Sequence, residues 1–271
     1  MRREQTPQAS TSWTTLVLFT IILAVIGWYV VFTSRGIDLS IEESQKMDES
    51  SLTASTMSVD LGAGKPVYLP TLSQLAPNNS WMYVSKNTPL SAEYKPEKLQ
   101  DITLPRADKD IAMKLRADVQ ANLKTLFDAA KGDEYDLMVS SAYRSISDQQ
   151  KLLDNTIRTN GEIFASSYVL APGASEHHTG YALDVTDAST ACTLDSDDCI
   201  LSPSTAAWIA DNAHIFGFIV RYPSGKEAIT GISHEPWHLR YVGVVLATQL
   251  YETDATFDEF IEVVAPGRVS R

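Results

Sequence analysis

The sequence predicts a single α+β domain, with a small, mainly antiparallel sheet and flanking helices, preceded by one transmembrane helix. Of the 271 residues, 44% are hydrophobic and 21% are charged, which is ordinary for a globular protein. Predicted helices are separated by short strands without regular βαβ spacing, which argues against a doubly wound sheet. One uncharged run near the amino terminus has the length of a membrane span.

The membrane segment is predicted over residues 13–32, which read WTTLVLFTIILAVIGWYVVF. At about 1.5 Å per residue, this run forms a helix of about 30 Å, the thickness of a bilayer core. It is too long for a cleaved signal peptide, so we predict an uncleaved anchor rather than a buried core helix. Arg2 and Arg3 lie in the preceding tail, residues 1–12, and place that tail in the cytoplasm and the rest of the chain outside.

Residues 33–80 are predicted to be an acidic linker, because they are polar and show no sustained periodicity. The dense apolar sequence that follows places the folded domain at residues 81–266. Within it, Cys192 and Cys199 flank an acidic stretch. Outside the membrane we expect these two cysteines to form a disulfide rather than to stay free thiols.

Net charge excludes one class of partner. The chain has 22 Lys and Arg against 34 Asp and Glu, a net charge of −12. No basic surface is expected that could neutralise phosphates, so we predict no nucleic-acid binding.

The first predicted helix of the domain is amphipathic and ends at Gly132. Its apolar residues recur at four-residue steps: Ile111, Leu115, Val119, Leu123 and Phe127. Residues 136–142 then predict a strand. A second helix is expected to begin at Ser147, which forms a capping box with Gln150, and to end at residues 160–161.

The remaining predicted elements lie in the last third of the chain. Ser202 and Pro203 begin a third helix that reaches His214, and Gly217 closes it. Residues 218–222 predict a strand, and a last helix follows Gly243.

The histidines carry most of the functional information, because all five lie after residue 176 and four fall in two clusters. One cluster is residues 175–184 (SEHHTGYALD), and the other is residues 234–238 (HEPWH). Imidazoles and carboxylates are ligands for tetrahedral zinc, and a catalytic site uses three of them. The alternative is that these histidines are ordinary buried or surface residues without a metal. That alternative explains one cluster more readily than two.

Both clusters resemble motifs of the VanY-type zinc D-alanyl-D-alanine carboxypeptidases of bacterial cell-wall metabolism. Residues 175–184 fit S-x-H-x-x-G-x-A-x-D, and residues 235–243 fit E-P-W-H-x-R-Y-V-G. Residues 140–145 (SSAYRS) with Gln149, and residues 217–223 (GFIVRYP), resemble two further motifs. The resemblance covers the predicted domain.

The resemblance implies a Zn²⁺ cofactor held by His177, Asp184 and His238, and a role for Glu235 as general base. It also implies that Arg144 takes part in catalysis through contact with the substrate. Further substrate contacts are implied for Ser175, Gln149 and Tyr143.

Elementary chemistry is consistent with these roles. Glu235 and His238 are three residues apart, so a turn could direct both at one ion. Gly180 allows the chain between His177 and Asp184 to turn back. The fixed charge of Arg144 suits an oxyanion or a terminal carboxylate, although a surface salt bridge is the alternative.

Residues 234–238 also match H-E-x-x-H, the helical signature of another class of zinc proteases, in which both histidines bind the metal. Pro236 opposes a helix through this motif. We therefore expect His234 to lie outside the ligand set. His234 and His178 replace Tyr and Gln that are common in the family, so we expect altered hydrogen bonds around the metal and an altered pH profile.

The predicted function is a membrane-anchored zinc carboxypeptidase that removes the terminal D-Ala from peptidoglycan stem peptides. The alternatives are an L,D-carboxypeptidase acting on tetrapeptide stems and a catalytically inactive wall-binding module. A serine D,D-peptidase would need Ser-x-x-Lys, and no serine in this chain has a lysine three positions later.

Overall fold

The structure is a computed structural model that describes residues 58–60, 66–68, 79–188, 201–267 and 269. All of these residues belong to one structural unit, Ala54–Arg271. The predicted anchor and both cysteines lie outside the described residues. None of the helices in the described ranges is long and apolar enough to cross a bilayer.

The strands are β1 (Ser58–Asp60), β2 (Pro66–Tyr68), β3 (Leu99–Asp101), β4 (Lys114–Arg116), β5 (Leu137–Ser141), β6 (Ala182–Asp187), β7 (Phe218–Tyr222) and β8 (Glu235–Tyr241). The helices are α1 (Gln120–Gly132), α2 (Ile146–Asn160), α3 (Glu162–Tyr168), α4 (Pro203–Asn212), α5 (Glu227–Thr230), α6 (Val244–Thr253) and α7 (Phe257–Val264). Short 3-10 turns lie at Ala117–Val119, Glu176–Thr179 and Ala213–Phe216.

A four-stranded sheet with the order β5-β6-β8-β7 organises the domain, and each neighbouring pair is antiparallel. Two smaller sheets pair β1 with β2 and β3 with β4. The predicted α+β architecture with a small antiparallel sheet is confirmed.

Two β-bulges in the main sheet change the direction of side chains at one end of the sheet. Along β5 and β6, Val139 pairs with Val185, but Ser141 pairs with Asp184, so β5 contains one extra residue. Between β7 and β8 the bulge is larger, because Arg221 alone faces residues 236–238. Bulges bend a strand and change the direction of its side chains.

The main core packs α1 against the sheet. Leu123, Leu126 and Ala130 of the helix are fully buried with Val139 and Leu183 of the strands. The predicted start of this helix at Ile111 was wrong. Residues 114–116 form β4, paired with β3, and Ile111 is exposed, so sheet pairing overrides the helical periodicity there.

The predicted cap of the second helix was also wrong, since α2 begins one residue after Ser145. Ser145 has an extended backbone, and its hydroxyl accepts a hydrogen bond from the Asp148 amide at 3.1 Å. That geometry is what a helix N-cap requires. The predicted end of α2 at Asn160 is confirmed.

From residue 201 onward the structure contains the predicted elements and three that were not predicted, α5, β8 and α7. Ser202 caps α4, β7 spans the predicted run, and α6 follows Gly243. However, α6 is not the last helix, because Thr256 and Glu259 form a capping box that begins α7. Helices α6 and α7 form a second core cluster with Tyr83.

Candidate metal centre and active site

The fold brings His177, Asp184 and His238 together, and one ligand atom of each lies within 4.8 Å of the others. Asp184 on β6 and His238 on β8 are direct partners in the antiparallel register. His177 lies in the 3-10 turn that precedes β6. Two neighbouring strands and one turn therefore build the predicted ligand set.

Gly180 makes this arrangement possible, because it ends the turn with a left-handed backbone (φ +73°). A Cβ atom at this position would lie 2.9 Å from Leu99 Cδ2 and 3.0 Å from Arg116 Cγ. Both the backbone conformation and the close packing thus call for glycine.

The three side chains fit a tetrahedral zinc ion. Asp184 Oδ2 lies 3.3 Å from His177 Nε2, and its Oδ1 lies 3.1 Å from His238 Nδ1. Two ligands at about 2.1 Å from tetrahedral zinc are themselves about 3.4 Å apart. Asp184 Oδ1 is buried without a hydrogen-bond partner, so a lone pair is available to a metal.

Hydrogen bonding also selects the ligand atom of His177. Its Nδ1 lies 2.7 Å from the carbonyl oxygen of Ala142 and donates to it, which leaves the lone pair of Nε2 facing Asp184. Metal-binding histidines commonly make this kind of contact with their other nitrogen.

The carboxylate and the imidazoles of the site shift one another's pKa values. Burial opposes the charged form of Asp184, but His177 and His238 outweigh it and keep the pKa of this carboxyl well below its usual range. Burial likewise opposes the imidazolium of His238, yet the neighbouring carboxylates of Asp184, Glu176 and Glu235 outweigh it and raise the pKa of His238 to about 9. A bound cation would replace the proton on His238.

Glu235 lies beside the metal ligands, with Oε2 3.7 Å from His238 Nδ1. In a regular strand, residues three apart lie on opposite faces. We expected a turn here, but the residues belong to β8, and its bulge opposite Arg221 places both side chains on one side. Burial raises the pKa of the Glu235 carboxyl to about 8.

Arg144 follows β5 and is held by its neighbours rather than by a surface salt bridge. Its Nη2 donates to Ser141 Oγ at 2.7 Å, and its Nη1 donates to Gln149 Oε1 at 2.9 Å. The Gln149 amide in turn donates to the carbonyl of Leu170 at 2.7 Å. The guanidinium is therefore fixed in position at the edge of the site.

His178 holds the backbone of Arg144 through a hydrogen bond. Its Nδ1 donates to the Arg144 carbonyl at 2.7 Å, and its Nε2 accepts from the Gly173 amide at 3.1 Å. An imidazole that donates through one nitrogen and accepts through the other is neutral, and burial lowers its pKa. His178 thus holds the backbone of Arg144 and does not line the cavity that the metal ligands border.

A cavity of about 160 Å³ joins these groups. Its polar lining includes Arg144, Gln149, Ser175, Glu176, His177, Asp184, Glu235 and His238. The Ser175 hydroxyl caps the 3-10 turn by accepting from the His177 amide at 3.4 Å. Tyr143 does not line this cavity, and its predicted substrate contact remains a prediction.

His234 is exposed and precedes β8, outside the three-residue ligand group. Because residues 235–241 form a strand, the H-E-x-x-H motif does not adopt the helix that its zinc chemistry requires.

Sequence reasoning missed Glu176, which is fully buried with its Oε2 3.7 Å from His238 Nε2. Its Oε1 accepts from Arg221 Nε at 2.9 Å and lies 2.8 Å from Arg240 Nη1. Burial opposes its ionisation, but the two arginines outweigh it and hold the pKa of Glu176 well below its usual range. The available signal was Arg221, a charged residue within the otherwise apolar run of residues 217–223.

Comparison with known proteins agrees with this site. Residues 112–244 match the family model described as VanY, D-alanyl-D-alanine carboxypeptidase. YodJ of Bacillus subtilis is 38% identical over 190 residues, which cover 69% of each protein.

Two solved structures share the fold. The LD-carboxypeptidase LdcB is 37% identical with a TM-score of 0.62, and the match covers 69% of this chain and 87% of that one. A variant of the vancomycin-resistance D,D-pentapeptidase VanY, in complex with Zn(II), is 30% identical with a TM-score of 0.57. That match covers 67% of this chain and 98% of the other. This chain therefore belongs to the VanY family of D-alanyl-D-alanine carboxypeptidases, and zinc is the cofactor that His177, Asp184 and His238 hold.

Proposed function

We propose that this protein removes the carboxyl-terminal D-Ala from peptidoglycan stem peptides by cleaving the D-Ala-D-Ala bond of pentapeptides. The observation that carries the proposal is the meeting of three metal ligands, a buried carboxylate and a fixed guanidinium in one small cavity. The family description and the D,D-pentapeptidase activity in the name of the zinc-bound VanY structure support the choice of bond.

Glu235 is assigned the proton transfers. When bound, zinc lowers the pKa of a water ligand to about 7 and polarises the scissile carbonyl. The Glu235 carboxylate takes a proton from the attacking water and passes it to the leaving amine. Burial gives Glu235 an unusually high proton affinity for a carboxylate, although His238 acts in the opposite direction, and this affinity suits both steps.

Arg144 is assigned the recognition of the substrate's terminal carboxylate. Ser141 and Gln149 each accept a hydrogen bond from one terminal nitrogen of the guanidinium. These two bonds fix the plane of the group and leave further N–H groups for a ligand. A charge-assisted bond to a carboxylate explains why the enzyme would act only at a chain end. Ser175 and Gln149 line the same cavity and complete the proposed substrate contacts.

Cleavage of the L,D bond of a tetrapeptide is the second candidate. The 37% identity to the LD-carboxypeptidase LdcB favours it. Both reactions release a terminal D-Ala and differ only in the stereochemistry of the residue before the cut.

The deciding experiment incubates the zinc-loaded protein with synthetic pentapeptide and tetrapeptide stems and weighs the products. We expect the pentapeptide to lose one D-Ala at a rate well above that of the tetrapeptide. Preferential shortening of the tetrapeptide would replace the D,D assignment by the L,D one. Two intact peptides beside zinc-replete protein would favour the inactive wall-binding module.

We also propose that residues 13–32 anchor the protein and that its catalytic domain lies outside the membrane, where the wall is. The uncharged run and the preceding arginine pair support this placement. In that compartment Cys192 and Cys199 form a disulfide. Peptide mapping without reduction tests the pairing, and two alkylatable thiols in the folded protein would contradict it.

A further inference from the structure

A buried cluster of four charged side chains lies directly behind the metal ligands. Glu176 contacts Arg221 and Arg240, and Arg221 also contacts Asp258 through both terminal nitrogens. Each of these residues is at most 2% exposed. The two carboxylates balance the two guanidinium groups, so the cluster is electrically neutral.

One oxygen of Glu176 is not used by this cluster. Both arginines contact Oε1, whereas Oε2 is buried without a hydrogen-bond partner. His238 Nε2 is also buried without a hydrogen-bond partner, and these two atoms lie 3.7 Å apart. A hydrogen bond from His238 Nε2–H to Glu176 Oε2 would therefore give both buried atoms a partner.

The opposite nitrogen of the same ring faces the metal position, with His238 Nδ1 3.1 Å from Asp184 Oδ1. A neutral imidazole carries its proton on one nitrogen and a lone pair on the other. An acceptor behind Nε2 therefore determines whether the lone pair at Nδ1 is available to a cation.

We propose that Glu176 is a positioning residue that accepts a hydrogen bond from His238 Nε2–H and so fixes the ring with Nδ1 directed at zinc. Arg221 and Arg240 hold the carboxylate in place. The 3.7 Å separation closes to a hydrogen bond when the metal fixes the imidazole. The proposal depends on the zinc site but not on which peptide bond is cut.

The test compares zinc affinity in two variants that each remove one charge from the cluster. Glu176→Gln replaces the acceptor behind His238 by a weaker, neutral one. Asp258→Asn is the matched control, because Asp258 contacts Arg221 and Tyr83 but not His238. Zinc dissociation constants are measured by competition with a chromophoric chelator, and the thermal unfolding of both metal-free variants is recorded.

We expect Glu176→Gln to weaken zinc binding about 10–100-fold, and Asp258→Asn to change it by less than about threefold. Unchanged affinity in Glu176→Gln, or equal losses in both variants, would overturn the proposal.

If Glu176→Gln does not fold, ¹⁵N NMR of the zinc-loaded natural protein tests the proposal instead. The proposal requires a proton on His238 Nε2 that exchanges slowly with water, and metal on Nε2 would refute it. Because zinc binding is measured rather than hydrolysis, failure here leaves the proposed reaction standing.

Discussion

The folded site raises the pKa values of Glu235 and His238 well above their ordinary values. The metal-free protein holds a proton on each at neutral pH, with pKa values of about 8 and about 9. Their ordinary values are 4.5 and 6.5. An unfolded chain has therefore lost both protons at a pH where the folded chain still keeps them.

This difference predicts that the metal-free protein loses stability as the pH rises from about 7 to about 9. Folded-state pKa values above the unfolded ones contribute stability that is complete below the unfolded values and disappears through the folded ones. Each such proton changes the free energy of unfolding by up to about 1.4 kcal/mol per pH unit. Chelator-treated protein should show a falling unfolding midpoint across this window, and Glu235→Gln should show a shallower fall. A midpoint that is constant or rises from pH 7 to 9 would contradict these protonation states.

A second prediction separates the metal ligands from their neighbour in sequence. His177→Ala should abolish zinc binding and activity, because the site then keeps only two ligands. His234→Ala should keep zinc and lose at most about 10–100-fold in activity, as expected for a residue outside the ligand set. Metal analysis of the two purified variants is the measurement. Zinc retained by His177→Ala beside a zinc-free His234→Ala would reverse the assignment.

At the scale of elements, the site depends on irregular backbone more than on regular strands. The β8 bulge brings Glu235 and His238 to one side, and the turn ending at Gly180 returns the chain from His177 to β6. Regular versions of these two segments would point the same side chains away from one another.

Gly180→Ala should therefore destabilise the protein more than Gly231→Ala does. The two glycines have nearly the same backbone, with φ of +73° and +71°. Their surroundings differ, since a Cβ at Gly180 would meet Leu99 and Arg116, whereas nothing lies within 4 Å of one at Gly231. Left-handed backbone alone costs a non-glycine residue about 1–2 kcal/mol, and the clash adds to this only at Gly180. Denaturant unfolding of both variants measures the difference, and equal losses would show that the packing around Gly180 is unimportant.

Local patterns predicted those elements whose cause is local. The end of α2, the Ser202 cap of α4 and the strand β7 follow from short sequence signals. The ligand set was implied by motifs. In contrast, β4 depends on pairing with β3, so residues 114–116 were wrongly assigned to a helix. The role proposed for Glu176 depends on Arg221 and His238, which are brought beside it only by the folded sheet.

At the scale of the whole molecule, the proposed arrangement joins a described catalytic domain to a predicted membrane anchor. The paired strands β1 and β2 lie within residues 33–80, which were predicted to be a linker. We propose that the rest of this stretch lets the domain reach the wall while the anchor keeps it at the membrane. The active-site cavity lies within residues 144–238, far along the chain from the anchor.

Protease added to intact cells should therefore release a soluble, active fragment by cutting in the linker. Exposed polar linkers are preferred cleavage sites, whereas the packed domain resists cleavage. The fragment is detected by its mass and by hydrolysis of a stem peptide. A domain that is protected until the cells are lysed would contradict the proposed topology.

The central claim is that zinc held by His177, Asp184 and His238 and the proton acceptor Glu235 together perform the hydrolysis. Its most direct test measures zinc content and turnover on the same sample of Glu235→Ala. The variant should bind one zinc per chain, like the natural protein, and lose about 10²–10⁴ in kcat, the usual contribution of general acid–base catalysis. Loss of zinc would make the carboxylate a ligand, and full activity in the zinc-loaded variant would remove Glu235 from the reaction.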